Sequence, residues 1–223
     1  RWASRTCCAI TSQRCARFGR LRPDLLILGF DTSAAHCAAA LLSGGRVLAA
    51  VEEPMATGQA ERLMPMLEGM LAAQGLGWRD LSRIGVGTGP GNFTGVRIAV
   101  AAARGLALGL GVPAVGGGRL EALALGLGRV TVVEDARRGE AWVQDFPGGA
   151  ARVLPLAEVR AARVVGSAAA AVPGAEVLAP AMPLAEAVAR IAAARAPGPR
   201  PAPVYLRAAD ALPPTDPPPL ILP

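Results

Sequence analysis

Between residues 25 and 116 the apolar positions change period several times. Leu25 to Phe30 is an almost unbroken apolar run that reads as a buried strand. Asp31-Thr32-Ser33 reads as a turn, and Cys37 to Leu42 as a second strand. Gly44-Gly45 signals a hairpin into a third strand over Val47 to Val51. A helix is predicted from about Gln59 to Ala73, with Pro65 expected to bend or restart it. Leu81 to Val86 predicts the next strand. A glycine and proline loop leads from it into a long helix over about Thr94 to Leu110. Gly111 and Pro113 end that helix, and Ala114 to Gly116 is a short strand. The order βββαβα predicts a mixed α/β unit.

The rest of the chain is less regular. Val130 to Glu134, Ala141 to Phe146 and Arg152 to Leu154 read as a further strand set. Short pieces follow, then a helix over about Leu184 to Ala194. The order is that of a repeat, without visible similarity between the halves. Residues 196–203 and 213–223 are proline-rich and expected to be extended. The expected organisation is a basic tail over 1–23, a first subdomain over 24–118, a second over 119–210 and a proline-rich tail over 211–223.

Composition narrows the class. At 223 residues and 52% hydrophobic there is material for one or two small domains. With 4% aromatics the core must be built from Ala, Leu and Val. No apolar run reaches the length of a membrane span, and Arg97 and Arg104 interrupt the most apolar segment, so no membrane partner is expected. The net charge of +6 is local. Residues 1–22 hold six Arg and no acid, while the remainder balances 17 Arg against 17 acids. Such a tail can bind nucleic acid or resemble a targeting peptide. It is expected here to be a disordered or non-native extension ahead of the domain. A neutral fold with few aromatics argues against direct tRNA binding. Cys7, Cys8 and Cys15 lie in the tail and Cys37 in a strand, which gives no disulfide framework and fits a reducing cytoplasm. With His36 as the only histidine, no zinc-ligand spacing exists and no metal is expected.

Residues 87–104 carry the densest signal. Gly87, Gly89, Gly91 and Gly95 allow positive φ or close backbone approach, and Thr94 is placed to cap the helix. Free N–H groups at such a helix start suit an anion or phosphate. A P-loop needs a lysine, and this chain has none. A dinucleotide fingerprint needs a third glycine where Asn92 stands, and an acid about 20 positions on, whereas no acid occurs between Asn92 and Glu121.

The motif Gly87-x-Gly-Pro-Gly-x-Phe-Thr-Gly-Val-Arg-Ile, followed by Gly105-Leu-Ala-Leu and Val112-Pro-x-Val-Gly, resembles the bacterial TsaB (YeaZ) family. Ile27-Leu-Gly-Phe-Asp-Thr-Ser resembles that family's opening strand and turn. Ala60-Glu-Arg-Leu-Met-Pro-Met-Leu resembles its first helix, and Leu120-Glu-Ala-Leu-Ala begins the next segment. Asp135-Ala-Arg-Arg-Gly-Glu-Ala-Trp and Pro203-Val-Tyr-Leu-Arg resemble two later motifs. The matches run in order over roughly residues 25 to 207. The resemblance implies an actin-like (ASKHA, RNase H-like) fold of two βββαβα-type halves, the second less regular. It also implies a role in making threonylcarbamoyladenosine in tRNA.

The same resemblance bears on chemistry. Active actin-like kinases carry a glycine in the turn after the first strand, which lets backbone N–H groups approach phosphate. Here that turn is Asp31-Thr32-Ser33-Ala34. Asp31, Thr32, Ser33, Gly89, Gly91 and Thr94 are the candidate nucleotide contacts, and an Asx-type turn is the competing reading. Asp135 to Glu140 reads equally as a second phosphate turn or a hairpin turn. The transferase subunit TsaD carries a histidine pair for its metal, and the matching positions here are Arg119 and Leu123, so no metal centre and no catalytic residue are expected. No G-x-S-x-G elbow exists, and His36 is expected to be a strand-edge residue.

The implied role is therefore a non-catalytic scaffold that binds and activates TsaD in the cytoplasm. TsaE joins the complex and tRNA is reached only through it. Any ATP or ADP is expected at the subunit junction, and a homodimer through the same face is the alternative when the partner is absent. The expected interface lies on the helix pair: Glu61, Arg62, Met66 and Met70 on the first helix, and Arg97, Ala101 and Arg104 on the second. Methionines adapt to varied surfaces, and Gly95, Ala99 and Ala103 at four-residue spacing allow close approach of another backbone. The alternative function is an actin-like ATPase or small-molecule kinase acting alone, which requires magnesium-dependent ATP binding through Asp31.

Overall fold

A computed structural model describes residues 25–207; the expected tails over 1–23 and 211–223 lie outside the described residues. The first sheet is assembled from β1 (Leu26–Asp31), β2 (His36–Ser43), β3 (Arg46–Pro54), β4 (Arg83–Gly87) and β5 (Ala114–Gly117), in the order β3-β2-β1-β4-β5. β1, β2 and β3 form an antiparallel meander, while β4 and β5 run parallel to β1. Parallel neighbours need crossovers, and α1 (Gln59–Ala73) and α2 (Phe93–Leu110) supply helices for the β3–β4 and β4–β5 connections.

β1 is buried at every position, and β2 at all but its last, because both faces of the sheet are covered. On one face Leu63, Leu67 and Leu71 of α1 and Val96, Ala99 and Ala103 of α2 pack against Leu28, Phe30 and Val86. The small stripe Gly95, Ala99, Ala103 thus turns inward, toward the sheet. The helix α1 continues through the exposed Pro65 as a single helix and does not restart there. The carbonyl that Pro65 deprives of a helical partner lies one turn back, at the exposed Glu61.

The second sheet repeats the plan with shorter parts. β6 (Val130–Asp135), β7 (Glu140–Phe146) and β8 (Arg152–Pro155) are antiparallel; β9 (Arg163–Val165) and β10 (Glu176–Leu178) add in parallel, in the order β10-β9-β6-β7-β8. Single 3₁₀ turns replace the two crossover helices. The repeat expected from element order is present in topology.

Each half ends in a helix that packs on the other half's sheet. α3 (Arg119–Ala124) lies against β6 and β7, and α4 (Leu184–Ala194) lies against β1, β2 and β4. Ala185, Ala189 and Ala192 of α4 face the first sheet, where a side chain at Gly29 would collide with Ala189. Leu184, Val188 and Ile191 of the same helix join Leu120 and Leu123 of α3 over the second sheet. The division expected at residue 118 falls between β5 and α3, but the exchanged helices give the two halves a shared core.

α2 is the one described helix long and apolar enough to cross a membrane, a length the sequence reading does not assign to any segment. One of its faces packs in the core, through Gly95, Val96, Ala99, Val100 and Ala103.

Candidate functional site

The cleft between the halves is built on the end of β1. Asp31 is the last residue of that strand and is fully buried. Its Oδ1 accepts hydrogen bonds from the Ser33 backbone N–H at 2.9 Å and the Ser33 hydroxyl at 2.8 Å, and lies 2.8 Å from His36 Nε2. The Asx-type turn of the sequence reading is therefore present, with His36 added. Its other oxygen, Oδ2, has no hydrogen-bond partner and lies against Gly87, where a Cβ would collide with it.

The glycine loop wraps this turn. A Cβ at Gly91 would strike the carbonyl of Ser33, and one at Gly95 the carbonyl of Thr32. Close backbone packing, rather than an open phosphate cradle, uses these two glycines. The Asn92 N–H donates to Ser33 O at 2.6 Å, and the Thr32 hydroxyl donates to Gly95 O at 2.6 Å. The cap of α2 is Asn92, not Thr94: Asn92 Oδ1 accepts from Thr94 N at 3.0 Å and Gly95 N at 3.2 Å. Asn92 precedes the first helical residue, Phe93, which is where a cap must stand.

Arg119, at the start of α3, closes the cleft from the other side. Its backbone N–H donates to Gly89 O at 2.7 Å. Its Nε donates to Glu134 Oε2 at 2.6 Å, and Nη1 lies 4.0 Å from Asp31 Oδ1 and donates to Ser33 Oγ at 3.3 Å. Glu134, on β6, accepts at its other oxygen from the Ser167 N–H at 2.7 Å. Burial alone would push the Asp31 carboxyl up. The His36 hydrogen bond and the Arg119 charge outweigh it and hold the group below the usual carboxylate range. Burial likewise opposes the charge on Arg119, but Glu134 and Asp31 keep it firmly protonated.

Above this network is a cavity of about 640 Å³, lined among others by Ser33, Gly91, Phe93, Arg119, Arg137, Trp142 and Arg207. Of the six candidate nucleotide contacts only Ser33 and Gly91 line it. Asp31 lies beneath, Thr32 is tied to α2, Gly89 accepts from Arg119, and Thr94 is exposed beside it on the outer end of α2. Asp135 to Glu140 forms the β6–β7 hairpin turn, with Arg137 N donating to Asp135 Oδ1 at 2.7 Å and Glu140 paired with Arg207. Arg119 and Glu134 join Asp31 in the site's charged network, and the sequence reading assigns neither to it. Ser33, Asp31 and His36 do not form a nucleophilic triad, because the carboxylate stands between the hydroxyl and the imidazole instead of behind the imidazole. Among the described residues no three His, Cys, Asp or Glu side chains converge as a metal site.

The expected partner face divides in two. Met66 and Met70 are only 4% and 8% exposed and pack under the sheet with Leu63 and Leu67, so they are core residues, not surface contacts. Glu61, Arg97, Ala101 and Arg104 are exposed. Arg62 is half-buried and pairs with Glu53 at 2.6 Å through two hydrogen bonds. The methionine that α1 does expose is Met64.

Residues 53–154 match the family model "TsaD: tRNA N6-adenosine threonylcarbamoyltransferase". The chain is 36% identical over 126 residues to the tRNA threonylcarbamoyladenosine biosynthesis protein TsaB of Escherichia coli (strain K12), covering 54% of each. It is 38% identical over 101 residues to the protein of that name from Haemophilus influenzae, covering 45% of this chain and 42% of that one. The matched segment thus spans about half the length of these curated relatives. In structure it is similar to YeaZ from Pseudomonas aeruginosa, with a TM-score of 0.68 and 30% identity, over 82% of this chain and 100% of that chain. A second structure from that organism, of an uncharacterized protein with similarity to peptidase YEAZ, superposes with a TM-score of 0.70 at 30% identity and the same coverage.

Proposed function

The chain belongs to the TsaB/YeaZ family, and on that premise we propose that it serves tRNA threonylcarbamoyladenosine biosynthesis as a subunit without a reaction centre of its own. It docks on the transferase TsaD and favours that partner's active conformation by binding it better than the inactive one. TsaE joins the assembly, tRNA is reached only through it, and the setting is the cytoplasm. The observation that carries this reading is the state of the cleft. Asp31, the carboxylate on which the ATPase reading depends, is engaged through Oδ1 by His36 and Ser33, and the neighbouring Glu134 is engaged by Arg119. Three N–H groups at the start of α2 are likewise engaged: those of Thr94 and Gly95 by Asn92 Oδ1, and that of Asn92 by the Ser33 carbonyl. A nucleotide belonging to the complex would then lie at the subunit junction, outside this network.

The test is reconstitution with the full chain and TsaD and TsaE from the same organism, followed by light scattering and by transfer of threonylcarbamoyl to tRNA. The expected result is a stable complex, transfer that requires this chain, and no ATP hydrolysis by the chain alone. Magnesium-dependent ATP turnover by the isolated chain, lost in Asp31→Ala, would instead establish the ATPase reading.

A further inference from the structure

The outer stripe of α2 runs Phe93, Arg97, Ala101, Arg104 and Leu108, at spacings of four, four, three and four residues, and all five are exposed. That is the spacing of a helix–helix seam. No acid lies anywhere in α2, so the only charges on the stripe are two guanidinium groups. At its N-terminal end the stripe is joined by a segment from the far end of the chain. Val204 N–H donates to Thr88 O at 2.8 Å, which brings Tyr205 beside the helix. The Arg97 guanidinium carbon stands 3.5 Å from the centre of the Phe93 ring and 5.8 Å from that of Tyr205. Its Nε donates to the Tyr205 hydroxyl at 2.8 Å, and the two rings lie 5.4 Å apart.

We propose that Phe93, Arg97 and Tyr205 form a preorganised anchor for a carboxylate on an acidic, amphipathic helix of the protein partner, which makes the C-terminal segment part of the docking surface. Stacking on Phe93 and the bond to Tyr205 fix the guanidinium plane, so its rotamer freedom is already spent before the partner arrives. Nε is used internally. The terminal nitrogens have no acceptor among the described residues, and they present the planar donor edge that matches a carboxylate with two parallel bonds. Phe93 and Tyr205 are 52% and 48% exposed, and exposed aromatics flanking an arginine are the composition of an interface hot spot. The small Ala101 lets a facing helix approach, and Leu108, 79% exposed, supplies the far apolar contact.

Charge decides between occupants. A second copy of the chain crossing about Ala101 would set Arg97 of each copy opposite Arg104 of the other, a like-charge pairing. A partner helix with carboxylates at those two positions has no such conflict. This inference rests on the reading that the outer helix face takes a protein partner, and it adds that partner's chemistry and the role of Tyr205 as a positioning residue.

The test titrates the full chain, its Tyr205→Phe variant and its Arg97→Lys variant with two ligands. One is purified TsaD. The other is a stapled amphipathic peptide of Glu, Leu and Ala, run beside its Glu→Gln twin. The expected result is binding of TsaD and of the Glu peptide over the Gln peptide. Tyr205→Phe weakens both by about 3- to 10-fold, and Arg97→Lys, which keeps the charge and loses the fork, by about 10- to 100-fold, chiefly in the off-rate. If TsaD binds the variants as it binds the parent, the anchor is wrong and the scaffold reading stands. If TsaD fails to bind while the Glu peptide binds and both variants weaken it, the scaffold reading is wrong and the anchor stands. Binding of neither ligand overturns both. Self-association that Tyr205→Phe weakens assigns the stripe to a second copy and overturns the acidic partner.

Discussion

Arg119 and Glu134 meet at 2.6 Å across the seam between the two halves, one at the start of α3 and the other near the end of β6. The guanidinium also reaches Ser33 and the neighbourhood of Asp31, so one largely buried cation ties the turn after β1 to the second sheet.

Removing that cation leaves buried Glu134 with only the Ser167 N–H, and takes the nearby positive charge away from buried Asp31. Arg119→Met is expected to destabilise the protein by about 3–5 kcal/mol, the range for breaking a buried pair from one side. The double variant Arg119→Met with Glu134→Met is expected to recover part of the loss, because the orphaned charge on β6 is gone. Urea unfolding of the two variants and the parent checks this. A double variant less stable than the single one would show that Glu134 is satisfied mainly by the Ser167 N–H.

The Asp31 carboxyl predicts the shape of the acid limb. Its folded value is below the ordinary carboxylate value of about 3.9, which describes the unfolded chain. Between the two values the unfolded state binds more protons, so stability rises with pH there. The contribution is complete above about pH 5 and is lost as pH falls through the folded value. Asp31→Asn is expected to flatten the acid limb of a stability-against-pH curve below pH 4 while lowering stability at neutral pH. An unchanged limb in Asp31→Asn would assign acid sensitivity to the other carboxyls held low, Asp145 by Thr131 and Arg152 and Glu53 by Arg62.

Gly87→Ala places a methyl group where Asp31 Oδ2 stands. The strand end has no slack, since Asp31 is held through Oδ1 by Ser33 and His36. Overpacking of this kind costs about 1–3 kcal/mol. The pair Gly87→Ala with Asp31→Ser removes the collision, and thermal unfolding should show the two substitutions to be strongly non-additive.

Those three predictions turn on contacts that sequence alone did not expose, while the elements around them were legible. α1 and α4 start and end where the apolar period starts and ends, and Gly44-Gly45 marks its hairpin. The Asp31 turn and the glycine loop were visible as a pair because each has distinctive composition. α3 does not read as a helix in sequence, since six residues are too few to establish a period. Nothing local brings an arginine after three glycines to a glutamate on the next strand, so Arg119 and Glu134 do not read as a pair in sequence; the fold makes them one. Thr94 reads as the cap in sequence, whereas Asn92 is a stronger capping residue and stands one place before the helix.

The helix α1 shows the same limit and gives the last prediction. Its methionines at 64, 66 and 70 look alike in sequence, and which face meets the sheet depends on tertiary packing. Met64 and Met66 are two positions apart, about 200° around the helix, so one must face out when the other faces in. Met66→Ala is expected to cost about 2–5 kcal/mol through lost burial and the cavity left under Phe30 and Leu63. In the variant that remains folded, affinity for TsaD should be nearly that of the parent, because the side chain is not on the surface. Arg104→Glu should behave in the opposite sense: within about 0.5 kcal/mol of the parent in unfolding, but weakened in partner binding, since it reverses one of the two charges on the exposed stripe of α2. Unfolding and binding measured on the same two preparations separate core from interface. Normal binding by Arg104→Glu, together with weakened binding by folded Met66→Ala, would show that binding depends on the packing beneath α1 and not on the charges of the α2 stripe.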